Sequence, residues 1–168
     1  DAGELDWITD PPVEDLRSLQ AAHPDRVVLR PRAQTHFLGF NVRTPPFNNE
    51  RVRQALNYAI DRNRVVELRA PPTDYRATCQ ILPPNLQGYE PFCPYTLEPD
   101  SGVWSAPDLD RARALIEDAD AIGDKVTVWV PDDPGAPPDL VRIQGYIVEV
   151  LNELGLRANP KIVHDFDQ

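Results

Sequence analysis

The chain reads as an α/β domain, and three observations carry that reading. Residues 125–130, KVTVWV, set valine at every second position between a Gly-Asp turn and a proline, the pattern of a half-buried strand. Residues 139–154 place Leu140, Ile143, Ile147, Val150, Leu151 and Leu154 on one side of a helix, with Gly155 at its C′ position. A second strand starts at Leu156 and runs to about Val163, with Pro160 expected to interrupt it. Strand, helix and strand in that order form a βαβ unit, which implies parallel pairing and a right-handed crossover.

Length and composition set the frame for the other elements. A chain of 168 residues has the length of one domain and can bury about 70% of its unfolded surface. It has no Met and opens on Asp1-Ala2-Gly3 with no basic-then-apolar leader, so a fragment or processed piece is expected. No apolar run approaches the roughly 20 residues that span a bilayer. A net charge of −10 argues against a nucleic-acid partner, which needs a basic face. Nineteen prolines are too many for a helical bundle and imply long loops.

From the start, ELDWI at 4–8 is a short apolar-flanked piece. Pro11-Pro12 opens a helix with Val13, Leu16, Leu19 and Gln20 on one face, and Glu14 and Asp15 in the first turn, where the dipole favours anions. His23-Pro24 closes it. RVVLR at 26–30 reads as a strand stopped by Pro31. Residues 36–42 mix aromatic and aliphatic side chains with few charges, which predicts a mostly buried strand. Pro45-Pro46 ends that strand, and Asn48 or Asn49 caps the next helix. There Val52, Ala55, Leu56, Ala59 and Ile60 make one apolar face, with Arg51, Arg53, Gln54 and Asn57 turned outward. Asp61 restarts a short helix through Val65, Val66 and Leu68.

Residues 70–107 are the least regular part, rich in proline and carrying both cysteines, Cys79 and Cys93. Tyr89, Phe92 and Tyr95 add aromatic faces to it; such rings line ligand clefts and equally plug the space under a long loop, and Trp104 is open to the same two readings. Ser105 three residues before Asp108 resembles a capping box opening a helix over 105–121, with Leu109, Ala112, Leu115, Ile116 and Ala119 on its apolar face. The turn cluster at 131–138 has too few spaced oxygen ligands for a calcium loop. No catalytic or phosphate-cradling motif occurs, and His23, His36 and His164 are scattered.

The literal residues of 39–62, GFNVRTPPFNNERVRQALNYAIDR, resemble a signature of the family 5 extracellular solute-binding proteins of bacterial ABC importers, the dipeptide-, oligopeptide- and nickel-binding type. Phe40-Asn41, Pro46-Phe47, Val52-Arg53-Gln54-Ala55, Tyr58-Ala59 and Asp61-Arg62 match it in order; Asn48-Asn49 replaces the family's acidic pair, and Asn caps a helix about as well as Asp. Looser matches lie at Gly3-Glu4-Leu5-Asp6, at Pro107, Ala112, Leu115 and Ile116, and at residues 151–155. The resemblance implies a lobe of the type II periplasmic binding protein kind, a mixed sheet flanked by helices. Residues 1–35 would lead from the first lobe, and 36–168 would be a partial second lobe.

It also implies a binding protein and not an enzyme. The implied role is capture of a small solute, most often a peptide, for delivery to a membrane permease, by a monomer outside the cytoplasm that is periplasmic or held at the cell surface as a lipoprotein. No cofactor and no metal are implied. Asn41, Tyr89 and Tyr95 are the candidate ligand contacts. In an exported, loop-rich segment Cys79 and Cys93 are expected to form a disulfide, closing a loop of about 15 residues for roughly 3 kcal/mol; two separate buried thiols are the alternative. A cell-surface interaction lipoprotein without a transport role, on the same fold, is the alternative function. An enzyme whose active residues lie outside these residues is a further one.

Overall fold

The computed structural model describes residues 6–8, 13–28, 33–69, 75–131 and 139–163. The elements are α1 (Val13–Ala22), α2 (Glu50–Ala59), α3 (Arg62–Leu68), a single 3-10 turn (Pro99–Ser101), α4 (Leu109–Asp118), β1 (Lys125–Pro131), α5 (Asp139–Glu153) and β2 (Arg157–Val163).

The βαβ unit forms as its periodicity requires. β1 and β2 pair in parallel, with Val126 beside Ala158 and Trp129 beside Lys161. Val126, Val128 and Val130 are buried while Lys125, Thr127 and Trp129 are exposed, so α5 packs on one face only. Pro160 does not interrupt β2 as expected; it sits in the ladder opposite Val128. β2 has one neighbour among the described residues, so alternate N–H groups lack a ladder partner and a residue without N–H is tolerated there. Gln144, buried on α5, donates through Nε2 to the carbonyls of Val128 (2.6 Å) and Lys161 (3.3 Å), tying the helix to both strands.

α2 follows the expected pattern closely. Asn49 is its cap, accepting from the Arg51 amide at 3.0 Å. Val52, Ala55, Leu56 and Ala59 are buried, and Ile60 is half-buried at the helix end. Arg51 faces solvent, while Arg53 folds back to donate to the Phe47 carbonyl at 2.7 Å. This face packs on Ala112 and Ile116 of α4, both fully buried. Asp61 caps α3, accepting from the amides of Asn63 (2.9 Å) and Arg64 (3.3 Å).

Three further expectations need correction. Residues 36–41 adopt no regular secondary structure and Val42 lies in a turn: no partner ladder meets them among the described residues, and Phe37 is 75% exposed. Apolar, β-prone composition describes a face that can be buried; it does not supply the neighbouring strand that a ladder needs. Val27 and Val28 likewise lie outside any strand, and the rest of that expected strand lies outside the described residues. Finally, the cap of α4 is Asp108 itself, accepting from the Arg111 amide at 3.0 Å. Pro107 disfavours helix at the residue before it, and the Ser105 hydroxyl is engaged by Thr96 at 2.9 Å. Pro11-Pro12, residues 132–138 and His164 also lie outside the described residues.

Both α4 and α5 end in Schellman motifs. At α5 the Leu156 amide reaches the Leu151 carbonyl (3.1 Å) and the Gly155 amide the Asn152 carbonyl (3.0 Å), with Gly155 at φ 88°. At α4 the Ala121 amide reaches Ile116 (3.2 Å) and the Asp120 amide reaches Glu117 (2.9 Å), but the left-handed position is held by Asp120 at φ 51°. A side chain there carries a steric cost that glycine does not. Asp120→Gly should therefore stabilise the chain by about 0.5–1 kcal/mol, read as a higher urea midpoint at unchanged slope. A midpoint at or below wild type would contradict this account of the turn.

Candidate functional site

In open α/β sheets ligands bind outside the carboxyl ends of the strands. Here β1 ends at Pro131 and α5 begins at Asp139. Asp139 lies in the first turn of α5, where the helix dipole favours an anion, and it is only 5% exposed. Its carboxylate Oδ2 lies 3.0 Å from Nε of Arg69, the residue that ends α3. Nε is buried and makes no aligned hydrogen bond, so the contact is a charge pair and not a hydrogen-bonded one.

The Arg69 guanidinium carbon also lies over the Tyr75 ring, 4.7 Å from its centre. Tyr75 meets His36 edge to face at 5.8 Å. Next to His36, the Thr35 hydroxyl donates to the Ile81 carbonyl at 2.8 Å, joining this segment to the loop closed by Cys79–Cys93. Partial burial first, and the Arg69 guanidinium second, lower the pKa of His36, against an opposing pull from Asp139. The imidazole is accordingly neutral at pH 7.

The cross-linked loop is fastened to the helices behind it. Arg62 of α3 donates to the Thr78 carbonyl at 2.5 Å and lies 4.7 Å over the Trp104 ring. Tyr58 of α2 donates to the Pro94 carbonyl at 3.4 Å.

The sequence candidates fall in separate local settings. Asn41 is exposed, and its side chain accepts from the Arg43 amide at 3.1 Å in the turn before the cis Pro45-Pro46 bond. Tyr89 is half-buried, its amide on the Leu86 carbonyl at 3.3 Å. Tyr95 stacks edge-on against Tyr58 at 5.2 Å, beside the core. Among the described residues no hydrogen bond or ring contact joins these three. Cys79 and Cys93 form the expected disulfide. His36, Arg69, Tyr75 and Asp139 are the cluster that sequence reasoning missed. They lie in four separate segments, so no spacing pattern marks them.

Among the described residues no group of three or more His, Cys, Asp or Glu side chains is placed to hold a metal, and no helix is long and apolar enough to cross a membrane. A recess of about 100 Å³ between Pro45, Pro46, Asn49, Ala119 and Asp124 is too small for a typical ligand, whose sites run from ~300 Å³, and it lies toward the opposite end of β1.

A helix-backed parallel pair with its polar cluster at the carboxyl edge is the architecture of a lobe of a type II periplasmic binding protein. The chain belongs to the bacterial extracellular solute-binding proteins, family 5, whose middle-region model matches residues 1–168. It is 26% identical over 162 residues to heme-binding protein A of Haemophilus influenzae, covering 95% of this chain and 28% of that protein. It is 28% identical over 134 residues to di/tripeptide-binding protein 3 of Pseudomonas aeruginosa, covering 76% of this chain and 22% of that one. The solved structure of HbpA2 from Haemophilus parasuis superposes with a TM-score of 0.73 at 25% identity, over 97% of this chain and 31% of its own. The chain thus spans less than a third of the length of these relatives. The family and these relatives are binding proteins.

The His36 geometry sets a pH dependence. Its folded-state pKa lies below the ordinary 6.5, so as pH falls the unfolded chain takes up the proton first. The contribution is therefore fully present above pH 6.5 and is lost as pH falls through the folded-state value. Urea unfolding should show wild type losing more stability between about pH 7 and pH 5 than His36→Gln does. Equal losses would remove His36 from the cluster's electrostatics.

Proposed function

We propose that this chain is part of the substrate-binding component of an ABC importer, capturing a small solute, a peptide by preference, for delivery to a membrane permease. Residues 36–168 supply part of the second lobe, and residues 1–35 lead into it from the first. The observation that carries this reading is the family match along the whole chain. The fold supports it, since it presents its polar cluster where α/β lobes meet ligands. The protein acts by binding and not by covalent chemistry, as a monomer with no nucleic-acid partner. It works outside the cytoplasm, periplasmic or held at the cell surface by a lipid anchor, where a Cys79–Cys93 disulfide persists. Asn41 and Tyr89 contribute polar contacts to the bound solute; Tyr95 acts from behind, through its packing on Tyr58.

A cleft needs both lobes. Ligand held by one wall loses most of the buried contact area that a closed cleft supplies. Isolated residues 1–168 should therefore show no strong peptide binding in calorimetry, whereas the full-length protein takes up peptides from a tryptic digest of casein and retains them in native mass spectra. Micromolar peptide binding by the isolated chain would refute the one-wall reading. A full-length protein that retains no solute would refute the transport reading.

A further inference from the structure

We infer that the exposed ring of Tyr75, clamped by Arg69 and His36 at the carboxyl edge of β1, is the contact face for an apolar or aromatic group of the bound solute. The inference rests on the solute-binding reading above and adds the residue and the ligand chemistry.

The ring is held from two directions. The Arg69 guanidinium lies 4.7 Å from its centre, and the His36 ring meets it at 5.8 Å with a 72° interplanar angle. Even so, Tyr75 remains 43% exposed. A rigid aromatic ring left open to solvent contributes contact area at little cost in lost side-chain freedom. The supporting layer points the same way. Arg69 and Asp139 are buried as a pair, with side chains 11% and 7% exposed, yet Nε has no aligned acceptor. A buried pair of imperfect geometry adds little net stability, because desolvation offsets its attraction. What it does fix is the pose of the guanidinium, and through it the ring; Arg69 is thus a positioning residue.

The chemistry of the solute group follows from what this surface presents. The two formal charges of the cluster are paired with each other and largely buried. The exposed side chains are a phenol ring ending in one hydroxyl and the His36 imidazole, whose pKa is lowered. Such a surface favours an apolar or aromatic moiety over a carboxylate or an ammonium group.

The test uses the full-length protein with two probes applied separately, a tryptic digest of casein and hemin. Retained solute is identified by native mass spectrometry and its affinity measured by calorimetry. Tyr75→Ala should weaken retained hemin, or peptides with Phe, Trp or Leu side chains, about tenfold, while Tyr75→Phe stays within about twofold of wild type. Tyr75→Leu keeps the bulk without the ring and serves should the alanine variant fail to fold. If wild type retains a probe and both the Ala and Leu variants hold it equally tightly, the inference fails and the solute-binding reading stands. If wild type retains neither probe, both fall together.

Discussion

Val52, Leu56 and Ile116 have lost essentially all contact with water where α2 lies on α4. Burying side chains of this size is worth about 1.5–3 kcal/mol each, before the entropy of ordering them is subtracted. Ala55 and Ala112, also fully buried, keep the packed faces flat enough for close approach. Two polar contacts then fix the pair lengthwise. The Asp108 amide that opens α4 donates to the Tyr58 carbonyl near the end of α2 at 3.0 Å, and Arg51 at the start of α2 donates to the Asp118 carbonyl at the end of α4 at 3.2 Å. The helices therefore run antiparallel with their ends in register. Only Ile60 and Asp61 separate α2 from α3, so the direction of α3 is set by the same packing.

α5 carries that constraint to the sheet. Gln144 holds both strands, and two residues on, the Tyr146 hydroxyl accepts from the Asp61 amide at 2.8 Å. Burial raises the Tyr146 pKa, so the phenol stays protonated through neutral pH. One end of α3 is thus pinned by Tyr146 and the other by the charge pair of Arg69 with Asp139. The two contacts differ in kind. A neutral hydrogen bond contributes about 0.5–1.5 kcal/mol net, whereas a buried charge pair contributes near zero as a whole but costs several kcal/mol if one partner alone is removed. The site end of α3 is therefore the end that tolerates substitution least.

Local rules made much of this legible in advance. The α2 stripe, its Asn49 cap, the Asp61 restart and the Gly155 end each depend on residues within one or two turns, where spacing is a reliable guide. The parallel pair followed from the order strand, helix, strand. Legibility stopped where an outcome depended on a distant partner. Residues 36–42 have strand composition, but pairing is decided by what lies alongside. Ser105 has the right spacing for a cap, yet its hydroxyl is taken by Thr96, itself 2% exposed. Asp139 and Arg69 carry no local signal, because burial and mutual pairing across 70 positions leave no mark in either local sequence.

α3 shows how a surface-like sequence can act as a structural rail. None of its residues is fully buried, though Val65, Val66 and Leu68 are half-buried, and its ring contacts to the loop segment beyond it are made by arginines. Arg62 and Arg69 lie seven positions apart, two helical turns, which brings them to the same side of α3 about 10 Å from each other. Each sets its guanidinium over one aromatic ring of the long segment that follows, Arg62 over Trp104 and Arg69 over Tyr75. Each also finds one oxygen, the Thr78 carbonyl for Arg62 and the Asp139 carboxylate for Arg69. Cation–π contacts strengthen as the cation is desolvated, from about 0.5–1 kcal/mol at the surface to about 2 or more. Burial accordingly favours the same contacts it makes necessary, and it lowers the Arg62 pKa without discharging the group. Lysine would not serve at position 62, since an ammonium lacks the flat face that lies on a ring while its edge donates to a carbonyl. The long segment is thus held by two planar cations, Arg62 in the first turn of α3 and Arg69 at its C-cap.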